Sequence, residues 1–447
     1  MDIRESQTIT IQKLVFNGYG LGHLNGQAVF VPNTLPGDDV EIEITHRKQR
    51  HLFGKVLTYH RHSPLRQNAA CRHFPDCGGC QLIDVDYAAQ VQLKTELLTD
   101  ILRGHPEWQA TCQPVVPSLS PYGYRNKMEF AFFQTDGQVD LGLRKRHHFD
   151  QMVSVTQCHI QHPDANMLVN WVRHYFRQHP LPVWNMSTKQ GLLRYLVLRY
   201  SKKENAFLIN LIVSRDVQVD LTPFAESVTA TFTHVRGVVM GIQPADGDTA
   251  HAGHIVPLVG RPFLIEAIGS VNYRVSPTAF FQANPYDVQT LYDTILGLAD
   301  LRSTDTVLDL YCGSGTISLY AAPHVHEIVG IEFNPAGIAD AIANAALNGT
   351  KNVSFLEGPV RRILKNAPIA ADVVITDPPR AGMEPKSIMR MAQTTPRTIV
   401  YVSCNPTAMI RDLEILGTHG YAVNTLVPID MFAQTFHLEA VVGLNRV

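Results

Sequence analysis

The residues whose types and spacing could do chemistry are cysteines and strand-end acids. Cys404 follows the β-branched run Thr398-Ile-Val-Tyr-Val-Ser403 and precedes Asn405-Pro406, where a helix can begin. A thiol beside a helix N-terminus meets free N–H groups and the positive end of the dipole, which lower its pKa from about 8.5 and suit it to be a nucleophile. An inert strand-end cysteine is the competing reading, and the companion segment Asp377-Pro378-Pro379 weighs against it. A second group is Cys71, Cys77 and Cys80, in C-x5-C-x2-C spacing with glycines between. Glycine permits the turns that point each thiolate inward, so the three can wrap one soft metal centre. Cys158 is the candidate fourth ligand, because Cys112 sits in a polar connector, Cys312 in a glycine loop, and Cys404 has another role. Spacing leaves zinc and an iron–sulfur centre equally open.

A cofactor site is written in Val307-Leu-Asp-Leu-Tyr-Cys-Gly-Ser-Gly-Thr316, an apolar run that breaks into a glycine loop and then into a helical pattern. Such a strand–loop–helix lets backbone approach a bound nucleotide. Three acids fall at successive strand ends: Asp309, Glu332 and Asp377. An acid at the end of the second strand can accept both ribose hydroxyls. Gly313-x-Gly315 lacks the third glycine of the dinucleotide fingerprint and no Walker lysine follows, so S-adenosylmethionine is favoured over NAD or ATP.

The elements that must position these residues follow from the apolar pattern. From Pro285 the chain reads as helix 285–298, strand 306–311, helix 315–322, strand 327–332, helix 335–348, strands 352–356 and 371–376, helix 384–394, strand 397–403, helix 406–418, and strands 421–427 and 438–444. This predicts a doubly wound parallel sheet with ligands at the carboxyl ends, and the final two strands as an antiparallel edge. Residues 6–62 read as five short strands, with Gly18-Tyr-Gly-Leu-Gly22 as a turn, and suggest an OB-type barrel. Its aromatics Phe16, Tyr19, Phe30 and Phe53 could grip RNA or could simply be core. Asp84–Leu102 carries an apolar stripe of Val91, Leu93, Leu97, Leu98 and Ile101, and packs on another domain. After the proline-rich Pro114–Pro121, residues to about 268 read as a central α+β domain, with Arg125, Lys127 and Arg144 to Arg146 as candidate RNA contacts.

The 447 residues carry a net charge of −2, but 46–75 contains no acid and seven Lys or Arg, from Arg47 to Arg72. That span suggests a polyanion-facing surface. Seven cysteines without a signal region argue against a disulfide framework, and with no long apolar run the expectation is a cytoplasmic protein without a membrane.

Five ordered segments carry a resemblance: Phe281-Gln-Ala-Asn284, Asp309-Leu-Tyr-Cys-Gly-Ser-Gly-Thr316, Asp377-Pro-Pro-Arg-Ala-Gly382, Ser403-Cys-Asn-Pro406 with Arg411-Asp412, and Asp430-Met-Phe432 with Thr435, His437 and Glu439. Together they resemble the RNA uracil-5 methyltransferase family over nearly the whole chain. The cysteine cluster and a barrel similar to a TRAM domain point to its ribosomal-RNA branch. The resemblance implies an α/β fold: a Rossmann-like S-adenosylmethionine-dependent methyltransferase domain at 269–447, a TRAM barrel at 1–62, and a central α+β domain at 63–268 whose helix within 84–104 packs on the catalytic domain. It implies methylation at C5 of a uridine in 23S ribosomal RNA, with transfer RNA as the alternative substrate, by a monomer with no protein partner. Cys404 matches the nucleophile and Glu439 the base. Gln282, Tyr311, Thr316, Glu332 and Asp377 match positions contacting the cofactor or the target base. Cys71, Cys77, Cys80 and Cys158 match the ligands of a 4Fe-4S cluster. The chain departs from the family pattern at Phe432-Ala-Gln-Thr435, where Phe-Pro-His-Thr is common, and at Thr407-Ala408. An amino-group methyltransferase of adenine or cytosine is disfavoured by Arg380 and Cys404, and a non-catalytic RNA-binding module by the intact cofactor loop.

Overall fold

The computed structural model describes residues 6–48, 50–214, 219–243, 247–366 and 369–447. The C-terminal part is a seven-stranded sheet in the order Val353–Glu357, Glu327–Glu332, Thr306–Leu310, Val373–Thr376, Thr398–Ser403, Glu439–Arg446, Tyr421–Ile429. The first five are parallel, and their residues are almost continuously apolar because helices cover both faces. On one face Ile388, Met391, Met409 and Leu413 pack on the sheet, and on the other Leu291, Tyr292, Ile295 and Ile317. Strand order reverses between Thr306–Leu310 and Val373–Thr376, which opens a crevice at their carboxyl ends.

The final two strands form the expected antiparallel edge, with Tyr421–Ile429 outermost and Glu439–Arg446 between it and Thr398–Ser403, so the first residue of Glu439–Arg446 lies beside the end of the strand that leads to Cys404. One expectation changes here: a helix, Val360–Asn366, lies between the two strands expected at 352–356 and 371–376. Its short amphipathic turn buries only Val360 and Leu364, too few positions to show a helical period.

The central part is a second seven-stranded sheet, ordered His254–Gly260, Val235–Gln243, Ala206–Ser214, Leu193–Ser201, Lys127–Thr135, Gln138–Lys145, His148–Ser154. Helices Pro163–Gln178 and Thr222–Thr231 close its core around Phe176 and Phe224. The hairpin of Leu264–Ile268 and Val271–Val275 leads into the catalytic sheet.

The N-terminal sheet has six strands, Ser6–Thr10, Lys13–Val15, Tyr19–Leu24, Gln27–Pro32, Asp39–Lys48 and His51–Arg61, curled around Ile9, Val29, Val31, Val40 and Ile42. The Gly18–Gly22 stretch expected as a turn is mostly strand. Gly20 and Gly22 are its inward positions, where a Cβ would fall 2.1 Å from Thr34 Oγ1 and 2.8 Å from the Thr10 carbonyl. Glycine lets this strand pass close enough to Ser6–Thr10 to close the barrel.

Tyr87–Ile101 does pack against the catalytic domain, but not with an apolar stripe alone. Gln90 and Lys94 are buried beside Leu93, Leu97 and Leu98. Leu98, Leu102, Trp108 and Val115 join the catalytic core itself. No helix among the described residues is long and apolar enough to cross a membrane.

Candidate active site

The cofactor loop leaves its strand at Tyr311, whose φ of 63° turns the chain sharply out of the sheet. Gly313 and Gly315 follow with φ of 55° and 74°, and a Cβ on Gly313 would meet nothing within 4 Å, so the loop faces open space. Glu332 braces it, accepting from the N–H of Gly313 at 3.1 Å and of Asn334 at 2.6 Å. Thr316 opens the following helix; its hydroxyl accepts from Tyr292 at 2.7 Å and its carbonyl from Tyr273 at 2.9 Å. Asp309 is buried, with Ser318 donating to one oxygen at 2.5 Å and the other lacking a partner among the described residues. Burial pushes its carboxyl up to about 7. Gln282 reaches from the segment before the sheet to Asp377, at 3.2 Å.

These residues fit an adenosine-type methyl donor: an opened glycine loop, an acid at the second strand end and an unpartnered buried carboxylate oxygen at the first. The structure brings Gln282 to Asp377 and Glu332 to the glycine loop that Tyr311 and Thr316 bracket, at the carboxyl ends of neighbouring parallel strands. Asn126 holds the Gln282 segment from the central domain, donating to the Gln282 carbonyl through its side-chain amide and to the Ala283 carbonyl through its own N–H, both at 2.9 Å. Arg199 reaches the carbonyls of Pro277 and Ala279 just before it.

Cys404 is half-buried at the next strand end, and Asn405 caps the helix Pro406–Thr418 by accepting from the Thr407 N–H. The lowered thiol pKa expected from that helix is not found. Burial first, then the Glu439 and Asp377 carboxylates, push the thiol up to about 11, while Arg380 opposes them. Because the Asn405 side chain already occupies a free helix N–H, the dipole has less to offer the sulfur than the acids take away.

Glu439 is buried, and its Oε2 lacks a hydrogen-bond partner among the described residues. Burial and the Asp377 charge raise its pKa well above the ordinary value. Asp377 is raised by burial to about 6. Arg380 lies exposed at the rim, 3.4 Å from His437 Nδ1. Burial and that guanidinium lower His437 to about 4, so its ring is neutral at pH 7. A thiol, the buried Glu439, the half-buried Asp377 and a cation thus interact through space at neighbouring strand ends.

The Asp377–Gly382 loop is held from the helix behind it. Asp412 accepts from the Met383 N–H at 2.7 Å and the Tyr401 hydroxyl at 2.6 Å, while Arg411 donates to the carbonyls of Ala381 and Met383. The segment before Glu439 is held by residues that sequence reasoning missed. Fully buried Lys94 donates to Asp430 at 2.6 Å, and Tyr87 donates to its other oxygen at 3.0 Å. The available signal was a lysine and a glutamine standing within an apolar helical stripe.

The four cysteines Cys71, Cys77, Cys80 and Cys158 face one another closely enough to interact electrostatically. Cys77 accepts from the Gly79 N–H at 3.5 Å, and Cys158 accepts from the backbone N–H groups of Ile160 and Gln161. No three His, Cys, Asp or Glu side chains among the described residues close on the geometry of a single metal ion.

Two of the basic positions singled out for RNA are structural. Arg66 is bonded to Asp38, Asp84 and the Asn33 carbonyl, and buried Arg146 to Asn33 and the Cys80 carbonyl. Arg47, Lys48, Lys55 and Arg72 are exposed. Of the barrel aromatics, Phe16 packs on Phe436 of the catalytic segment, whereas Tyr19, Phe30 and Phe53 cluster outside the barrel core at 5.5–6.2 Å.

Comparison with known proteins agrees with this architecture. Residues 2–57 match the TRAM domain model and residues 301–416 a methyltransferase domain model. A protein named as an uncharacterized RNA methyltransferase from Halalkalibacterium halodurans is 32% identical over 442 residues, 98% of this chain and 96% of that one. Another so named, from Caldanaerobacter subterraneus, is 32% identical over 446 residues and 99% of both chains. The crystal structure of Pyrococcus abyssi tRNA (uracil-54, C5)-methyltransferase with S-adenosyl-L-homocysteine is similar with a TM-score of 0.78 at 28% identity, covering 98% of this chain and 100% of that one. A uracil-methylating architecture covers the chain from barrel to final strand, and the chain belongs to the RNA uracil-5 methyltransferase family.

Proposed function

We propose that the protein methylates C5 of a uridine in 23S ribosomal RNA, with Cys404 as nucleophile and Glu439 as base. The observation that carries this is the meeting of Cys404, Glu439, Asp377 and Arg380 at the carboxyl end of one sheet, beside the opened glycine loop. Uracil C5 is too weak a nucleophile to take a methyl group unaided. The Cys404 thiolate adds to C6, and the electron pair of the C5–C6 double bond moves into an enolate with density at C5. S-adenosylmethionine supplies an electrophilic methyl group and a positive charge that favours ionised carboxylates. Gln282, Tyr311, Thr316, Glu332 and Asp377 bind and orient it. Glu439 then takes the C5 proton, the C5–C6 double bond reforms, and the Cys404–C6 bond breaks to release the thiolate. The target base must leave its stack to reach this crevice. The outer aromatics Tyr19, Phe30 and Phe53 with Arg47, Lys48 and Lys55 are suited to hold the flanking strand by stacking and phosphate contact.

The four thiols would hold a 4Fe-4S cluster. Supporting this are an all-thiol donor set and backbone N–H groups donating to two of the sulfurs. Such a centre would tie the Cys71–Cys80 loop to Cys158, in the connection between His148–Ser154 and Pro163–Gln178. Anaerobically purified protein is expected to contain about four irons and four labile sulfides; stoichiometric zinc in their place would refute it.

The thiol set together with the barrel supports the ribosomal substrate. A transfer-RNA substrate is the second reading, favoured by the likeness to the tRNA enzyme, which spans the barrel as well as the catalytic domain. Mapping 5-methyluridine in ribosomal and transfer RNA from cells with and without the gene separates them. Loss of the mark from 23S RNA alone is expected, restored by the wild-type chain and not by Cys404→Ala. Restoration by that variant would remove Cys404 from the mechanism.

A further inference from the structure

Gln434 stands in the segment that leads to Glu439, and each of its polar groups is engaged. It is fully buried and adopts a φ of 70°, a conformation that side-chain-bearing residues rarely take. Its N–H donates to Gln90 Oε1 at 2.9 Å, and its Oε1 accepts from Gln90 Nε2 at 2.9 Å. Its carbonyl accepts from the N–H groups of Gln81 and Leu82, both at 3.0 Å, immediately after Cys80. Its Nε2 donates to the Pro121 carbonyl at 3.3 Å. The preceding carbonyl, of Ala433, accepts from the Tyr124 hydroxyl at 2.9 Å. Every one of these partners comes from residues 81–124, and none from the strand ends that carry the glycine loop, Asp377 or Cys404.

We propose that Gln434 is a positioning residue for Glu439, locking the base to the segment after Cys80 through the reciprocal amide pair with Gln90. The inference rests on the assignment of Cys404 as nucleophile and Glu439 as base. Its consequence is selective. Addition of Cys404 and transfer of the methyl group depend on the other strand ends, whereas removal of the C5 proton depends on where Glu439 stands. Loosening the Gln434 contacts therefore leaves methylated RNA attached to Cys404, because the C6–S bond cannot break until the C5 proton is gone. It also makes the thiol segment and the base one mechanical unit.

The test is single-turnover reaction of the full-length protein with substrate RNA and methyl-labelled donor. It follows label transfer into RNA and, on denaturing gels, the lifetime of the protein–RNA adduct. In Gln434→Ala and Gln90→Ala, label transfer is expected within about twofold of wild type while adduct decay slows about 10- to 100-fold, the scale of an ångström's misplacement. Tyr124→Phe, which removes one hydroxyl and keeps the buried ring, is expected to slow decay by a smaller factor; it serves where the glutamine variants fail to fold. Adducts that decay at the wild-type rate in the variants that fold, or label transfer that falls by the same factor as decay, overturn the proposal. Glu439→Gln separates this from failure of the underlying assignment. If that variant forms no long-lived adduct, Glu439 is not the base; if it does and the Gln434, Gln90 and Tyr124 variants do not, only the positioning role is lost.

Discussion

At the scale of single residues, the site works against the ionisation that its chemistry needs. For the proposed addition to C6 Cys404 must become a thiolate, yet burial and two neighbouring acids push the thiol up to about 11 against the pull of Arg380. In the same proposal Glu439 is needed afterwards as the base, and it lies buried with one oxygen lacking a partner among the described residues. A thiol raised this far is protonated at pH 7. The sign of the pH effect follows. Below about 11 the thiolate fraction rises about tenfold for each unit of pH, so the rate of adduct formation between pH 7 and 9 should climb with a slope near one. Rapid-quench measurement of adduct formation checks this. A plateau already reached at pH 7 would mean that the thiol is ionised in the working enzyme.

At the scale of elements, the parallel strands were legible because burial on both faces makes them read as continuous β-branched runs between helical stretches. Asp309, Glu332, Asp377 and Cys404 could be placed at strand ends for the same reason. The antiparallel edge was legible too, but not which of its two strands lies outermost. A final hairpin written in sequence can set either strand against Thr398–Ser403, and only Glu439–Arg446 in that place puts Glu439 beside Ser403 and Cys404. Nor could Lys94 be matched to Asp430, 336 residues away, since a buried ion pair has no periodicity. The departure at Gln434 has a physical reason visible only in three dimensions, its amide pairing with Gln90. Elements also explain why the Asp377–Gly382 loop stays in place. Asp412, fully buried, satisfies Tyr401 and Met383, and Gly382 turns at φ 76° with no room for a Cβ, which would lie 2.6 Å from Asp412 Oδ2. Asp412→Ala leaves two buried donors unpaired at about 1–3 kcal/mol each, so a loss of about 2 to 6 kcal/mol is expected in urea unfolding. A change below about 0.5 kcal/mol would show that the loop is held by something else.

At the scale of the whole molecule, the catalytic sheet does not end where its own sequence pattern begins. Leu98, Leu102, Trp108 and Val115 sit in the same core as Ile399, Met409 and Leu444. The strand Tyr421–Ile429, which would be a bare edge, is covered by residues 113–116: Gln113 donates to the Leu426 carbonyl, Val116 to that of Pro428, and Asp430 back to Val116, all at 2.8–2.9 Å. Without Lys94, which is buried against it, Asp430 would become an unpaired buried acid. An uncovered edge strand and an exposed apolar patch are both routes to aggregation. Residues 84–118 therefore belong energetically with 269–447, although the central sheet separates them in sequence. The fragment 269–447 alone is expected to aggregate or to unfold without a cooperative transition. Supplying a peptide of residues 84–118 in trans should restore a cooperative melt and binding of S-adenosylhomocysteine, both measurable by calorimetry. A fragment 269–447 that melts cooperatively and binds that ligand unaided would show that the sheet is self-sufficient, and that the helix Tyr87–Ile101 only docks onto it.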